Sequence, residues 1–193
     1  MNGPAQSNDK QTLRQIMRQK TQGLPMEEAL FSSEKITAAV LASDLYRQAH
    51  SLFIYVSVGK EPDTRRLIRH ALQAGKTVYV PKCLPGHTLQ AVAIDSLNCL
   101  TPGALGIPEP PAGERDFPAA GIDLAIVPCV AASLNGGRLG HGAGYYDRFL
   151  AAHPLPTLCL CHAQLLLPDL PMTPQDVPMD YIATAGGIHR CGE

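Results

Sequence analysis

Ile122–Pro128 reads IDLAIVP, and a few residues on Asn135–Arg148 reads NGGRLGHGAGYYDR. The first stretch is a short continuous apolar run, the mark of a strand covered on both faces. The second is a glycine-rich loop that opens into a helix from about Tyr145. Strand, shaped loop and helix in succession are the building unit of layered α/β domains. Upstream, Ser51–Ser57 (SLFIYVS) is another buried run, followed by the loop Gly59–Thr64. A helix over Arg65–Ala74, capped by Asp63 or Thr64, stops at Gly75, and a strand over Lys76–Val80 is ended by Pro81. This order predicts parallel strands.

Further out, Pro25 to Ala49 predicts a long helix, with Ser32-Ser33 as its candidate interruption. Asp9 is suited to cap a first helix reaching Lys20, with 1–8 as loose polar chain. Thr88–Ile94, Thr157–Cys161 and Tyr181–Thr184 supply further strands. Residues 101–118, rich in Pro and Gly, read as an irregular loop long enough to act as a lid. The expected fold class is α/β: a single three-layer α/β/α domain over 1–193 with a largely parallel central sheet. Ligands of such sheets bind beyond the carboxyl ends of the strands.

Composition narrows the function. Sixteen Lys+Arg against seventeen Asp+Glu leave a net charge of −1, which argues against a dedicated nucleic-acid binder. No apolar run approaches the ~18 residues of a membrane span, and the N-terminus carries no apolar signal core. The six cysteines form no C-x-x-C pair and no zinc spacing with histidine. Reduced, mostly buried thiols in a cytoplasmic protein are expected, and Cys129 has no neighbouring base to make it a nucleophile. His162 beside Cys161 reads as a core or edge histidine rather than half of a metal pair. The expected partners are small-molecule substrates, with no nucleic acid and no membrane, and the chain is expected to be a monomer.

The glycine loop carries the chemistry. Five glycines within Asn135–Gly144 are entropically costly unless the backbone adopts unusual dihedrals or approaches something closely. Successive N–H groups ahead of a helix N-terminus form an anion site suited to a polyphosphate. Gly137 and Gly142 have Walker spacing, but Ala143-Gly144 stand where Lys-Ser/Thr belongs, and Gly140–Gly144 is not G-x-G-x-x-G. Kinase P-loops and dinucleotide-binding motifs are therefore disfavoured. Arg138 offers planar donors to phosphate, Tyr145 and Tyr146 offer ring faces to a heterocycle, and Asp147 offers a carboxylate to Mg²⁺. Near the N-terminus, Lys10, Arg14 and Arg18 recur at i, i+4, i+8, a basic stripe that is either a solvated helix face or a handle for phosphate.

Gly137–Arg148 (GRLGHGAGYYDR) resembles the signature of the 5-formyltetrahydrofolate cyclo-ligase family. Lys10-x-x-Leu13-Arg14, Tyr55–Ser57 with Glu61–Thr64, Gln164 and Asp176–Thr184 (DVPMDYIAT) are similar to the family's other motifs, in the same order. The resemblance implies conversion of 5-formyltetrahydrofolate to 5,10-methenyltetrahydrofolate, with ATP as co-substrate and Mg²⁺ as cofactor. It implies that Lys10 and Arg14 contact the ATP phosphates. Arg138, Leu139, Gly140, His141, Gly142, Ala143, Gly144, Tyr145 and Tyr146 would form the nucleotide loop. His141 to Tyr145 would also face the folate, whose pocket Val56 and Glu61 would line. Asp147 and Asp180 would hold Mg²⁺, and Arg138 would act catalytically on the transferred phosphoryl group. Departures from the pattern are Pro128–Ser133 (PCVAAS), Ala143 and Ala185. They leave a folate- or nucleotide-binding protein without turnover as one alternative; a related α/β enzyme acting on another formylated or pyrimidine-like substrate is a second.

Overall fold

The structure is a computed structural model that describes residues 4–103, 106–111 and 121–192 and, in the first helix, side chains from Asp9 on. Helix α1 spans Pro4–Gly23. Pro4 takes the first helical position, where a missing N–H costs nothing, so Asp9 lies inside the helix rather than at its cap. Of the stretch expected to be loose, only residues 1–3 lie outside the described residues.

Helix α2 (Met26–Ala42) runs through Ser32-Ser33 without interruption. Ser33 Oγ donates to the Ala29 carbonyl and Ser32 Oγ bonds His162 Nδ1, so both hydroxyls are satisfied within a continuing helix. The break falls instead at extended Ser43, whose Oγ accepts from Tyr46 N and starts α3 (Asp44–Gln48). Helix α4 spans Arg65–Gln73, with Asp63 Oδ1 accepting from Arg65 N at 3.2 Å. Thr64 instead turns its hydroxyl to the Tyr55 carbonyl.

The central sheet contains β1 (Ser51–Ile54), β2 (Thr77–Leu84), β3 (Thr88–Ile94), β6 (Leu124–Val127), β9 (Thr157–Leu160), β10 (Tyr181–Thr184) and β11 (Gly187–Arg190). Its order is β11-β10-β9-β6-β1-β2-β3. The five inner strands are parallel, and β3 and β11 pair antiparallel at the edges. Pro81 does not end β2. Pairing with β1 stops at Tyr79, so beyond it only the β3 side needs partners and a residue without N–H is tolerated. Part of the 101–118 stretch forms a small hairpin, β4 (Thr101–Pro102) against β5 (Pro108–Glu109). Residues 104–105 and 112–120 lie outside the described residues, and so does half of the expected lid. A second hairpin pairs β7 (Ala131–Ala132) with β8 (Arg138–Leu139).

Alternation along the strands builds two cores. Leu52, Ile54, Leu124, Ile126, Leu158 and Leu160 face one side and pack with Ile36, Val40, Leu67 and Ile68 of α2 and α4. Phe53, Ala125, Val127 and Cys159 face the other, with Met17 of α1 and Phe149 and Leu150 of α5 (Tyr145–Ala152). The result is three layers, as expected. The chain leaves β1 for β2 on one side and later returns to β6 on the other. The carboxyl ends of β1 and β6 therefore flank the switch point where α/β sheets open a crevice.

Candidate active site

The crevice is present as a cavity of about 1070 Å³. Tyr55 and Val56 line it just past β1, Pro81 and Cys83 from β2, and Pro128 just past β6. Helix α1 adds Lys10, Arg14 and Arg18, and the whole run Arg138–Arg148 forms another wall. Every residue assigned to the site from the sequence lines this cavity except Asp180.

The carbonyls of the glycine loop are bonded by guanidinium groups that line the same cavity. Arg14 Nε donates to the Gly140 carbonyl and Arg18 Nη2 to the His141 carbonyl, each at 2.9 Å. Arg148 Nη2 donates to the Ala143 carbonyl. Three carbonyl dipoles that would repel an anion are thus engaged by cations. Among the described residues neither Arg14 nor Arg18 has a carboxylate at contact distance, so positive charge stays on this wall. Burial, with help from Arg18, lowers the Arg14 pKa, while Asp176 and Asp147 pull it back.

Two glycines in the run meet specific demands. A Cβ at Gly136 would stand 2.9 Å from the Met179 carbonyl, where the β7–β8 turn is tied to the approach to β10. Gly144, with φ 69°, is the left-handed residue that turns the loop into α5. Tyr145 lines the cavity beside the imidazole of His87, which meets it edge-on at 5.4 Å. Tyr146 is half-buried against Phe53, with the Arg138 guanidinium over its ring at 5.7 Å. Burial drives the Tyr146 hydroxyl pKa upward, so it remains protonated.

Arg138 is buried: Nη2 bonds Asp147 Oδ1 at 2.8 Å and Nη1 the Pro128 carbonyl at 3.3 Å, while Nε has no hydrogen-bond partner among the described residues. Its geometry is that of a residue that positions Asp147. Asp147 Oδ1 also accepts from Val177 N at 3.3 Å, which draws in the neighbouring Asp176. Asp176 Oδ2 accepts from Lys10 Nζ and from both the amide and hydroxyl of Thr173. Burial pushes the Asp176 carboxyl up, but Lys10 and Thr173 outweigh it and hold the pKa below the usual range.

The expected Asp147–Asp180 pair is not formed. Asp180 Oδ2 accepts from Thr157 N and Thr157 Oγ1 at the amino ends of β9 and β10, outside the cavity. The carboxylate beside Asp147 is Asp176. The sequence DVPMD holds two aspartates four apart, and nothing in their spacing says which one a bend at Thr173 will turn inward. No cluster of three or more His, Cys, Asp or Glu side chains suited to a metal occurs among the described residues. Two carboxylates on one wall are nevertheless what Mg²⁺ ordinarily takes from a protein, so Asp147 with Asp176 fits the ion.

Glu61 is folded back so that Oε2 accepts from Val58 N at 2.9 Å. Burial raises its pKa to about 7, against a lowering by that bond. His141 Nε2 lies 3.8 Å from Glu61 Oε1, but burial and the nearby arginines lower the His141 pKa, so at neutral pH this is no ion pair. His162 is a core histidine, fully buried between Ser32 and the Lys60 carbonyl. Cys129 and Cys159 are buried and their pKa values lie well above ordinary, as suits inert thiols.

Residues 6–185 match the model of the 5-formyltetrahydrofolate cyclo-ligase family. The chain belongs to that family. The probable 5-formyltetrahydrofolate cyclo-ligase of Caenorhabditis elegans is 29% identical, covering 92% of this chain and 93% of its own. The 5-formyltetrahydrofolate cyclo-ligase of Escherichia coli K12 is also 29% identical, covering 90% and 98%. The NMR structure of Aquifex aeolicus 5,10-methenyltetrahydrofolate synthetase superposes with a TM-score of 0.85 at 30% identity, over 95% of this chain and 93% of that one. Membership makes the protein a ligase. Arg18, Cys83, Glu109, Arg148 and Asp176 also line that cavity and were not assigned to it from the sequence. Arg18 left a signal there as the third member of the basic stripe, and Arg148 and Asp176 stand in the family-like motifs without a role having been given to them.

Proposed function

We propose that the protein converts 5-formyltetrahydrofolate, with ATP and Mg²⁺, to 5,10-methenyltetrahydrofolate, ADP and phosphate. One observation carries this reading: a single cavity joins a cationic helix face, a glycine loop with engaged carbonyls, two carboxylates and a buried glutamate. A triphosphate suits the Arg14, Arg18 and loop wall, and a flat polar heterocycle suits Val56, Glu61 and Tyr145.

The N5 formyl oxygen cannot leave as oxide. It attacks the γ-phosphorus, ADP departs, and the oxygen becomes a phosphate ester. The N10 lone pair then adds to the formyl carbon, phosphate leaves with the original formyl oxygen, and the N10 proton is lost. Ring closure is intramolecular, so orienting the folate supplies much of the acceleration. The protein's part in phosphoryl transfer is alignment and charge neutralisation. Arg14, Arg18 and Lys10 provide positive charge, Arg138 fixes the Asp147 carboxylate, and Lys10 with Thr173 fixes that of Asp176. Mg²⁺, held by Asp147 and Asp176, would neutralise phosphate charge.

The test is appearance of the methenyl chromophore from purified protein, 5-formyltetrahydrofolate, ATP and Mg²⁺. Folate binding without the chromophore would make this a binding protein. Neither signal would move the substrate outside the reduced folates.

A further inference from the structure

Glu109 is a charged residue with no place in the scheme above. It is 6% exposed, yet its Oε1 is buried without a hydrogen-bond partner among the described residues. An ionisable group in that condition is costly unless something pairs with it. It also lines the active-site cavity. Three features hold it there. Thr101 of β4 pairs with Glu109 of β5. Gly103 leaves room for the side chain, because a Cβ at 103 would fall 2.4 Å from the Glu109 carboxyl carbon. Lys82 Nζ fixes the next carbonyl, that of Pro110, at 3.1 Å. Beside it, burial and the neighbouring Glu109 raise the Cys83 thiol to about 11, so it stays protonated.

Glu109 belongs to the wall formed by β2, β3 and β5, with Pro81, Cys83 and Leu89, and among the described residues lining the cavity no Lys or Arg comes from these strands. An acceptor on an otherwise apolar wall suits a flat heterocycle with N–H groups and does not suit phosphate. Resting on the proposed folate substrate, we propose that Glu109 is a second recognition residue, its unpaired oxygen accepting a hydrogen bond from an N–H group of the reduced pterin. Binding supplies the donor that this oxygen lacks among the described residues.

The experiment measures 5-formyltetrahydrofolate binding by calorimetry without ATP, the KM of both substrates, and the melting temperature, for wild type, Glu109→Gln and Glu109→Ala. Losing a bond to a charged acceptor predicts folate binding weakened about tenfold or more in Glu109→Ala. The ATP KM should stay within about twofold, and the melting temperature should not fall, since an orphaned buried carboxylate is removed. Glu109→Gln keeps an acceptor oxygen in the same shape and should fall between the two. Unchanged folate binding in Glu109→Ala overturns the assignment. So does an equal rise in both KM values with a lower melting temperature, which would make Glu109 a brace of the hairpin. If Glu109→Ala does not fold, Glu109→Gln decides: binding equal to wild type, with no change in folate KM, refutes the role. Wild type that binds no folate at all would instead remove the substrate reading itself, a different outcome from a wild type that binds and a variant that binds as well.

Discussion

Glu61 concentrates the electrostatics of the site in one side chain. Its folded pKa of about 7 lies above the usual 4.5 because burial disfavours the charge. Below about pH 4.5 the group is neutral folded and unfolded and costs nothing. As pH rises toward 7 the unfolded state ionises first, so stability is lost, and above 7 the loss is complete. Glu61→Gln should therefore flatten the stability profile between about pH 5 and 7 and melt higher than wild type at pH 8, while binding the folate more weakly. If the folate pairs with the carboxylate, binding at pH 6 must release a proton, which calorimetry in buffers of different ionisation enthalpy will count. Asp176 and Asp180 form a second residue-scale contrast. Asp176→Asn should reduce kcat by at least an order of magnitude and raise the Mg²⁺ requirement, because it removes a carboxylate of the cavity wall. Asp180→Asn should leave the Mg²⁺ requirement unchanged.

At the scale of elements, the β2–β3 hairpin tip is fastened to the glycine loop. Arg148 Nε and Nη2 donate to the His87 carbonyl at 2.9 and 2.8 Å, and the same guanidinium reaches the Ala143 carbonyl. His87 has φ 56°, the sole positive value at a non-glycine among the described residues, a cost tolerated where surrounding contacts fix the turn. Arg148→Met should release that clasp, lowering kcat and raising the ATP KM several-fold with little loss of stability, since the group is exposed. His87→Gly keeps the carbonyl and relieves the dihedral, so steady-state kinetics should find it milder. The sequence makes the sheet elements legible where burial is two-sided: the cores of β1, β6, β9 and β10 follow from unbroken apolar runs. It is silent where long-range partners decide. Pro81 continues a strand because β1 has already ended, and β11 follows β10 as a hairpin edge whose burial pattern is only partial. Likewise the glycine loop and the basic stripe are local patterns, whereas Glu109 enters the cavity by way of Gly103 and the β4–β5 pairing, contacts with no sequence period.

On the scale of the molecule, the two ends of the parallel sheet do different work. The carboxyl ends open into the cavity. At the amino ends carboxylates cap strand starts: Asp123 Oδ2 accepts from the amides of His50 and Ser51 and from Ser51 Oγ, joining β6 to β1, as Asp180 joins β10 to β9 through Thr157. Burial raises the Asp123 pKa, but the Ser51 and His50 bonds outweigh it and depress it below 3.8. A depressed carboxylate adds stability above its unfolded pKa and loses it as pH falls through the folded value. Because Asp123 is exposed, the effect is screened and modest. Asp123→Ala and Asp180→Ala should each cost about 1 kcal/mol in urea unfolding near neutral pH, with kcat/KM for both substrates within about twofold of wild type. At pH 3 the penalty of Asp123→Ala should shrink, because wild type has lost much of the same contribution. A large loss of kcat/KM in either variant, at unchanged stability, would mean that the amino ends reach the chemistry and that the division between stabilising and catalytic ends of this sheet is wrong.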